Sequence, residues 1–309
     1  MFAMQAPVNV AAGMRRAAFG FAAGLLLALA GPTPGRAAES YPLNVVASFS
    51  ILGDMVREVG GDRIALTVLV GPDGDMHSFE PVPENARAMS KAALLVVNGL
   101  DFEGWLARLV KASAFNGTMA VASEGVAPRR HDPHAWQSLA NGVVYVRNIA
   151  SALARADPAH RAEYDMRAAA YIEKIKTLDV QLEHEFAAIP ASRRKVVTSH
   201  DAFGYFGQRY GVQFISVAGL SSDAEPSAKE VARIIDQVRR QRVPAVFIEN
   251  ITSDKLVNQI AHETGAQVGG TLYSDALAQP GQPADTYLGM FQWNARQLLA
   301  ALRAPGTHP

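Results

Sequence analysis

The 309-residue chain contains no cysteine. This absence excludes disulfides, so the fold must rest on its hydrophobic core. It also excludes thiolate ligands, so a tetrahedral transition-metal site would have to be built from imidazole and carboxylate groups. For the same reason, we expect no lipid anchor attached through a cysteine.

An excess of charge of either sign is also missing. Lys plus Arg and Asp plus Glu both number 29, which gives a formal net charge of zero. Nucleic-acid binding requires a basic patch, and attraction to an anionic membrane surface requires net positive charge. We therefore expect neither nucleic acid nor a membrane surface as a partner.

Long apolar runs are scarce, and the longest lies near the start of the chain. Arg15 and Arg16 precede an apolar run at 17–30, which is followed by small residues up to Ala38. A membrane-spanning helix needs about 20 apolar residues, so this shorter run is typical of a secretory signal peptide. We predict a signal peptide at 1–38, cleavage near Ala37 or Ala38, and a periplasmic mature protein without a lipid anchor. The alternative is a buried N-terminal helix.

Short β-branched runs alternate with helical patterns along most of the chain. They are too continuously apolar for half-exposed strands, so they indicate buried strands of parallel sheets with helices on both faces, an α/β architecture. The predicted strands are Leu43–Phe49, Ile64–Val70, Leu94–Asn98, Lys195–Thr198, Val212–Val217, Ala245–Glu249 and Gln267–Tyr273.

A long amphipathic helix is predicted from Asp157 to Ile189, because apolar residues recur there at steps of three and four. At about 1.5 Å per residue it would be ~48 Å long, which is longer than a crossover helix in one small sheet requires. We therefore predict an N-terminal α/β lobe at 39–156, an interlobe helix at 157–189 and a C-terminal α/β lobe at 190–309. An ordinary long surface helix in a single domain is the alternative.

Shorter signals mark three further helices. Ser227 and Glu230 form a capping box, which predicts a helix start at that point. Ser253 or Asp254 is placed to cap another helix, and the apolar pattern at 284–302 predicts a C-terminal helix.

Four polar residues stand just beyond an apolar run or at a loop bend. His77 follows the strand at 64–70, and His200 follows the strand at 195–198. His134 lies in a loop that Pro133 stiffens, and Asp275 ends the run that begins at residue 267. Open α/β sheets bind ligands at the carboxyl ends of their strands, so these positions suit a metal site. Taken singly, each could instead be a surface residue or a helix cap.

The other histidines are weaker candidates. His131 could ligate a metal or load it, but we expect it to be a solvent-exposed neighbour of His134. His160, His184, His262 and His308 are predicted to be solvated. Glu80 and Glu249 are candidate carboxylate partners for ligand imidazoles, since ligating histidines usually donate their second N–H to such a group.

Four motifs in this order resemble the zinc and manganese solute-binding proteins of bacterial ABC importers. They are GPDGDMHSFEP at 71–81, DPHAW at 132–136, VVTSHDAFGYFGQRYG at 196–211 and LYSDAL at 272–277. The resemblance implies two α/β lobes joined by a rigid helix, with metal held between them by His77, His134, His200 and Asp275. It also implies a membrane permease as partner, with Zn²⁺ as cargo. We expect a monomer.

The ligand set bears on the choice of metal. Zinc accepts four imidazole and carboxylate ligands, whereas manganese prefers more oxygen. Manganese-binding members of the family carry a carboxylate where His200 stands, so this chain resembles the zinc branch, with Mn²⁺ as the alternative. Many zinc members also carry a histidine-rich loop before the second ligand, but residues 123–130 contain no histidine. His131 is then the only candidate capture residue, and loading could depend on a periplasmic metallochaperone.

A rival function of another class is a secreted zinc hydrolase. Such an enzyme would use three histidines and leave the fourth metal position to an activated water. The chain lacks an HExxH motif, and a hydrolase would need Asp275 away from the metal. We therefore predict a binding protein with no catalytic residues.

Overall fold

Two parallel β-sheets organise the chain, as the continuously apolar strand runs predict. The computed structural model describes residues 41–220 and 226–304. The predicted signal peptide and His308 lie outside these residues. In the described part, the first sheet has the strand order β2-β1-β3-β4, and the second has the order β6-β5-β7-β8. All the neighbouring strands pair in parallel.

The strands of the first sheet are β1 (Leu43–Phe49), β2 (Ile64–Val70), β3 (Leu94–Val97) and β4 (Thr118–Val121). Those of the second sheet are β5 (Lys195–Thr198), β6 (Gln213–Ser216), β7 (Ala245–Glu249) and β8 (Gln267–Leu272). Seven of these strands match the predicted runs to within one or two residues. Strand β4 was not predicted, because it is short and its first two residues are exposed, so it lacks a continuous apolar pattern.

Nine helices cover the sheets in the described ranges: α1 (Ser50–Gly60), α2 (Pro83–Lys91), α3 (Leu106–Ser113), α4 (Leu139–Ala156), α5 (Arg161–Ala187), α6 (Gly204–Tyr210), α7 (Ala228–Gln241), α8 (Lys255–Thr264) and α9 (Tyr287–Arg303). The capping box that opens α7 is confirmed, since Ser227 and Glu230 cap each other reciprocally. Helix α9 begins at Tyr287, three residues later than predicted, and Thr286 caps it. No described helix combines the length and the apolarity needed to cross a lipid bilayer.

The long helix is shorter than predicted. Residues 158–160 form a separate 3₁₀ turn, and α5 has 27 residues, or ~40 Å at 1.5 Å per residue. Asp157, at which the long helix was predicted to begin, ends α4 instead. Its carboxylate accepts a hydrogen bond from Tyr164 Oη at 2.8 Å and lies 2.6 Å from His160 Nδ1. His160, which was predicted to be solvated, is therefore paired and mostly covered.

The hydrophobic core is shared between the two sheets. One large cluster of buried residues includes Phe49 from β1, Phe247 from β7 and residues of α4, α5 and α9. A smaller cluster, which includes Val197 and Ile260, packs between the second sheet and helices α7 and α8. The chain thus has two α/β lobes, one built on each sheet, and apolar side chains run continuously from one to the other. The boundaries at residues 156 and 190 stay predictions.

Candidate metal centre

Four side chains from the two lobes meet at one point. His77 lies in the loop after β2, His134 in the loop before α4, His200 after β5 and Asp275 after β8. Each offers one ligand atom, and these four atoms all lie within 4.8 Å of one another. The Nε2 atoms of His77, His134 and His200 are 3.1, 3.6 and 3.3 Å from the Asp275 carboxylate oxygens. The structure thus brings together all four residues that were predicted to bind metal.

The facing atoms have no hydrogen-bonding partner among the described residues. This holds for the three Nε2 atoms and for both carboxylate oxygens of Asp275, all of them buried. Leaving a buried polar atom unpaired costs about 1–3 kcal/mol each, so a native fold keeps such a cluster only where something else satisfies it. A cation placed among these lone pairs would satisfy all of them at once.

Asp132 fixes the orientation of His134. Its Oδ1 accepts a hydrogen bond from the backbone N of His134 at 3.0 Å and lies 2.8 Å from His134 Nδ1. With Nδ1 directed at a carboxylate, the free nitrogen that points at the other ligands is Nε2. Asp132 was not among the predicted site residues. The signal was available, because Asp and Asn side chains commonly turn back onto the backbone N–H two residues later, and here that N–H belongs to His134.

Glu249 has the same role for His200. It ends β7, its Oε1 accepts a hydrogen bond from the backbone N of His200 at 2.9 Å, and its Oε2 lies 2.6 Å from His200 Nδ1. Glu249 was one of the two carboxylates suggested from the sequence. The other, Glu80, is exposed on the loop after His77 and is not among the groups that contact a ligand imidazole. His131 is also exposed and lies outside the cluster.

The loop that carries Asp275 is held by the first lobe. Trp136 Nε1 donates a hydrogen bond to Ser274 O at 2.9 Å, and Gln137 Nε2 donates to the same oxygen at 2.6 Å. Further along, Leu277 N donates to Ser50 Oγ at 2.9 Å. Asp275 itself is fully buried. The carboxylate from the second lobe is therefore positioned largely by groups of the first.

Aromatic rings line the first-lobe side of the cluster. The Phe102 ring lies edge-on to the imidazoles of His77 and His134, with centroids 5.4 and 5.8 Å apart, and the Trp136 ring lies 5.2 Å from His134. These rings exclude water and hold the imidazoles in place. Among the four candidate ligand side chains, only His77 keeps any exposure, at 11%.

Burial and charge act in opposite directions on the pKa values of these groups. Burial by itself would lower the pKa of His134 and His200, but Asp275, with Asp132 beside His134 and Glu249 beside His200, raises both, that of His200 strongly. Burial would likewise raise the pKa of Asp275, but His134 and His200 hold it well below its usual range. Asp275 is therefore a carboxylate at neutral pH, the form that binds a cation.

Comparisons with known proteins place the chain among metal-uptake proteins. The family described as zinc-uptake complex component A, periplasmic, matches residues 45–301. A metal ABC transporter substrate-binding lipoprotein, FimA of Streptococcus parasanguinis, is 31% identical over 90% of this chain and 94% of its own length. The iron-binding protein YfeA of Yersinia pestis is 34% identical over 85% of this chain and 86% of its own. The manganese ABC transporter substrate-binding lipoprotein PsaA of Streptococcus pneumoniae is 30% identical over 85% and 90%.

Two solved structures of similar fold are also those of metal-binding proteins. The periplasmic zinc-binding protein TroA of Treponema pallidum superposes with a TM-score of 0.81 at 28% identity, covering 85% of this chain and 99% of TroA. A manganese-bound periplasmic metal-binding protein from Candidatus Liberibacter asiaticus, an S38A mutant, gives a TM-score of 0.79 at 29% identity, covering 85% of this chain and all of that one. The names of these similar proteins include zinc, manganese and iron.

Proposed function

Since the chain belongs to the family of zinc-uptake component A proteins, the substrate-binding proteins of metal ABC transporters, we propose that it captures Zn²⁺ in the periplasm and delivers it to the membrane permease of an importer. The observation that carries the proposal is the convergence of three imidazole Nε2 atoms on the buried Asp275 carboxylate, all without hydrogen-bonding partners in the described part of the chain.

The donor set favours zinc. Three imidazoles and one carboxylate make a four-coordinate site, which zinc accepts, whereas manganese and iron sites usually contain more oxygen ligands or water. With bonds of about 2.0–2.1 Å, the ligand atoms of a tetrahedral zinc lie about 3.3 Å apart. The distances from the three Nε2 atoms to the Asp275 oxygens, 3.1, 3.6 and 3.3 Å, are close to this value. Because the four ligand atoms are only within 4.8 Å of one another, the imidazoles would have to draw together to bind zinc. Mn²⁺ is the alternative cargo.

The same geometry disfavours a zinc hydrolase. A catalytic zinc keeps one position for water, usually beside three protein ligands. Here Asp275 lies within 3.6 Å of all three imidazoles and is fully buried, so it occupies the position that water would need. A filled coordination shell is suited to holding cargo.

Metal content decides between these functions. Protein purified without added metal should contain about one zinc per chain by elemental mass spectrometry. It should bind Zn²⁺ in preference to Mn²⁺ and show no hydrolase activity. His200→Ala should lose the zinc, whereas His184→Ala, at an exposed position on α5, should keep it. Preference for Mn²⁺, or undiminished zinc affinity in Asp275→Ala, would contradict the proposal.

The state of the mature protein is part of the proposal. We expect export after cleavage near Ala37 or Ala38 and a monomer free in the periplasm. The absence of cysteine supports this, whereas the lipoprotein names of several relatives point the other way. Release of the protein by osmotic shock, and a single monomeric species by light scattering, are the expected results. Loading by a metallochaperone stays a prediction.

A further inference from the structure

Arg129 lies behind His134, on the far side of Asp132 from the ligand cluster. The Nη1 of Arg129 is 3.0 Å from Oδ2 of Asp132. The other oxygen of that carboxylate, Oδ1, lies 2.8 Å from Nδ1 of His134. Asp132 is almost completely buried, whereas the Arg129 side chain is 41% exposed. The Arg129 guanidinium thus pairs with one oxygen of Asp132, and the other oxygen of Asp132 orients His134.

The absence of a side chain at Gly204 leaves room for this ion pair. A Cβ atom on Gly204 would lie 2.0 Å from Nη1 of Arg129 and 2.4 Å from Oδ2 of Asp132, so a side chain there would displace both groups. The next residue, Tyr205, accepts a hydrogen bond from the backbone N of Arg129 at 2.9 Å. Gly204 opens α6 in the second lobe, four residues after His200. The ion pair of the first lobe is therefore packed against the segment that carries a ligand of the second.

The charges around the cluster give Arg129 a second role. Three carboxylates contact the ligand imidazoles: Asp275, Asp132 and Glu249. In the described part of the chain, Arg129 is the one arginine or lysine paired with any of them. The three negative charges and one positive charge leave a formal charge of minus two, which a single divalent cation neutralises. Without Arg129 the same site would carry one uncompensated negative charge when loaded.

We propose that Arg129, seated on Gly204, is a positioning residue for metal retention. It holds Asp132 in the place from which Asp132 orients His134, and it couples that ligand to the His200 segment of the other lobe. This inference rests on the proposed function, since it concerns how long the captured cation stays bound. Because the Arg129 side chain is outside the core, its loss should affect metal release and not folding.

The release rate of Zn²⁺ tests the proposal. Preloaded protein is mixed with excess chromophoric chelator, and the dissociation rate constant is measured for the wild type and for Arg129→Gln. Loss of a group that supports a ligand typically weakens metal binding 10–100-fold. Arg129 contacts Asp132 and not His134 itself, so we expect Arg129→Gln to release Zn²⁺ only about 5-fold faster than the wild type. Arg129→Lys keeps a cation for Asp132 and should restore a rate within about 2-fold of the wild type. The matched control is Arg130→Gln, at an exposed neighbour, which should match the wild type.

A double-mutant cycle tests whether Gly204 acts through the same contact. Gly204→Ala should speed release to a similar extent by displacing the ion pair, and the double variant Arg129→Gln/Gly204→Ala should be no faster than the faster single variant. If the two substitutions acted independently, their fold-increases in release rate would multiply in the double variant. That result, or an Arg129→Gln release rate equal to that of the wild type, would overturn the proposal. Equal melting temperatures are expected for the metal-free wild type and Arg129→Gln, and a large drop in Arg129→Gln would show a structural role instead.

A readout in metal-free protein separates this inference from the proposed function. The Nδ1–H of His134, bonded to the buried Asp132 carboxylate, should give an exchange-protected proton NMR signal that Arg129→Gln broadens or removes. A wild type that holds no divalent cation would refute the proposed function, and the NMR signal would still decide the role of Arg129. A signal unchanged by Arg129→Gln would refute that role.

Discussion

Asp54 should make the stability of the metal-free protein depend on pH. This residue of α1 is buried, and its Oδ2 accepts a hydrogen bond from the backbone N of Tyr287 at 2.8 Å, at the start of α9. Burial raises the pKa of Asp54 from 3.8 to about 6; the Tyr287 hydrogen bond and Arg57 oppose this, and the nearby charges of Glu58 and Asp285 add to it. The folded state therefore holds the proton more tightly than the unfolded chain.

The sign and size of the effect follow from linkage. A raised pKa contributes stability that is fully present below pH 3.8 and is lost as the pH rises through 6. The full difference corresponds to about 3 kcal/mol at 1.36 kcal/mol per pKa unit. About half of it, ~1.5 kcal/mol, is lost between pH 5 and pH 8. Asp54→Asn removes this titration and keeps an oxygen that can accept from Tyr287 N.

Denaturant unfolding with a chelator present measures the difference. The stability of Asp54→Asn minus that of the wild type should increase by ~1.5 kcal/mol from pH 5 to pH 8. The histidines of the metal centre titrate in both proteins, so their contribution cancels in this difference. A difference that does not change with pH would refute the reasoning, and one that decreases would show that the pKa of Asp54 is lowered.

Three further predictions concern the metal centre and the contact between the lobes. Glu249→Gln should weaken zinc binding about 10–100-fold in chelator competition, because it removes the carboxylate beside His200 Nδ1, whereas Glu80→Gln should bind as the wild type does. Gly142→Ala should destabilise the protein by about 1–3 kcal/mol in thermal unfolding, because the new Cβ would lie 2.5 Å from Tyr287 Oη, whose hydrogen bond to Trp136 O joins the lobes. Gly104→Ala is its control, with open space at the Cβ position. The radius of gyration by X-ray scattering should be unchanged within error between the metal-free and zinc-loaded forms, and clear compaction on loading would contradict a rigid connection between the lobes.

The sheets could be predicted from the sequence because their signal is local. Buried parallel strands such as Ile64–Val70 are continuously apolar, and this pattern survives without knowledge of their neighbours. Helix α4 was missed, although Leu139, Val143, Val146 and Leu153 are spaced along it at helical intervals. The predicted helix began instead at Asp157, because Pro158 follows it and proline is common at the first position of a helix. In the folded chain these residues separate two helices.

The metal centre was harder to predict than the sheets, because its members contact one another only in three dimensions. Asp275 had the weakest local signal of the four, since an aspartate after a strand is often a helix cap. In the structure it is the central group, the one that all three imidazoles approach. Arg129 gave no signal at all, because its importance comes from Gly204, which lies 75 residues later in the chain.

The way the lobes are joined bears on how metal leaves. Helix α5 is tied to the first lobe by Arg63 and Glu163 at 2.8 Å, and to α6 of the second by Arg209 and Asp179 at 2.9 Å. Arg63 and Glu163 are each more than a third exposed, so water screens their attraction, and this pair would not hold the lobes together on its own. The shared core holds the lobes together, because separating them would expose apolar side chains to water. The cost is roughly 25 cal/mol per Å² of apolar surface. A local change is far less costly than that, and His77, the one partly exposed ligand, lies in the loop after β2. We therefore expect exchange of the metal to begin at the His77 loop.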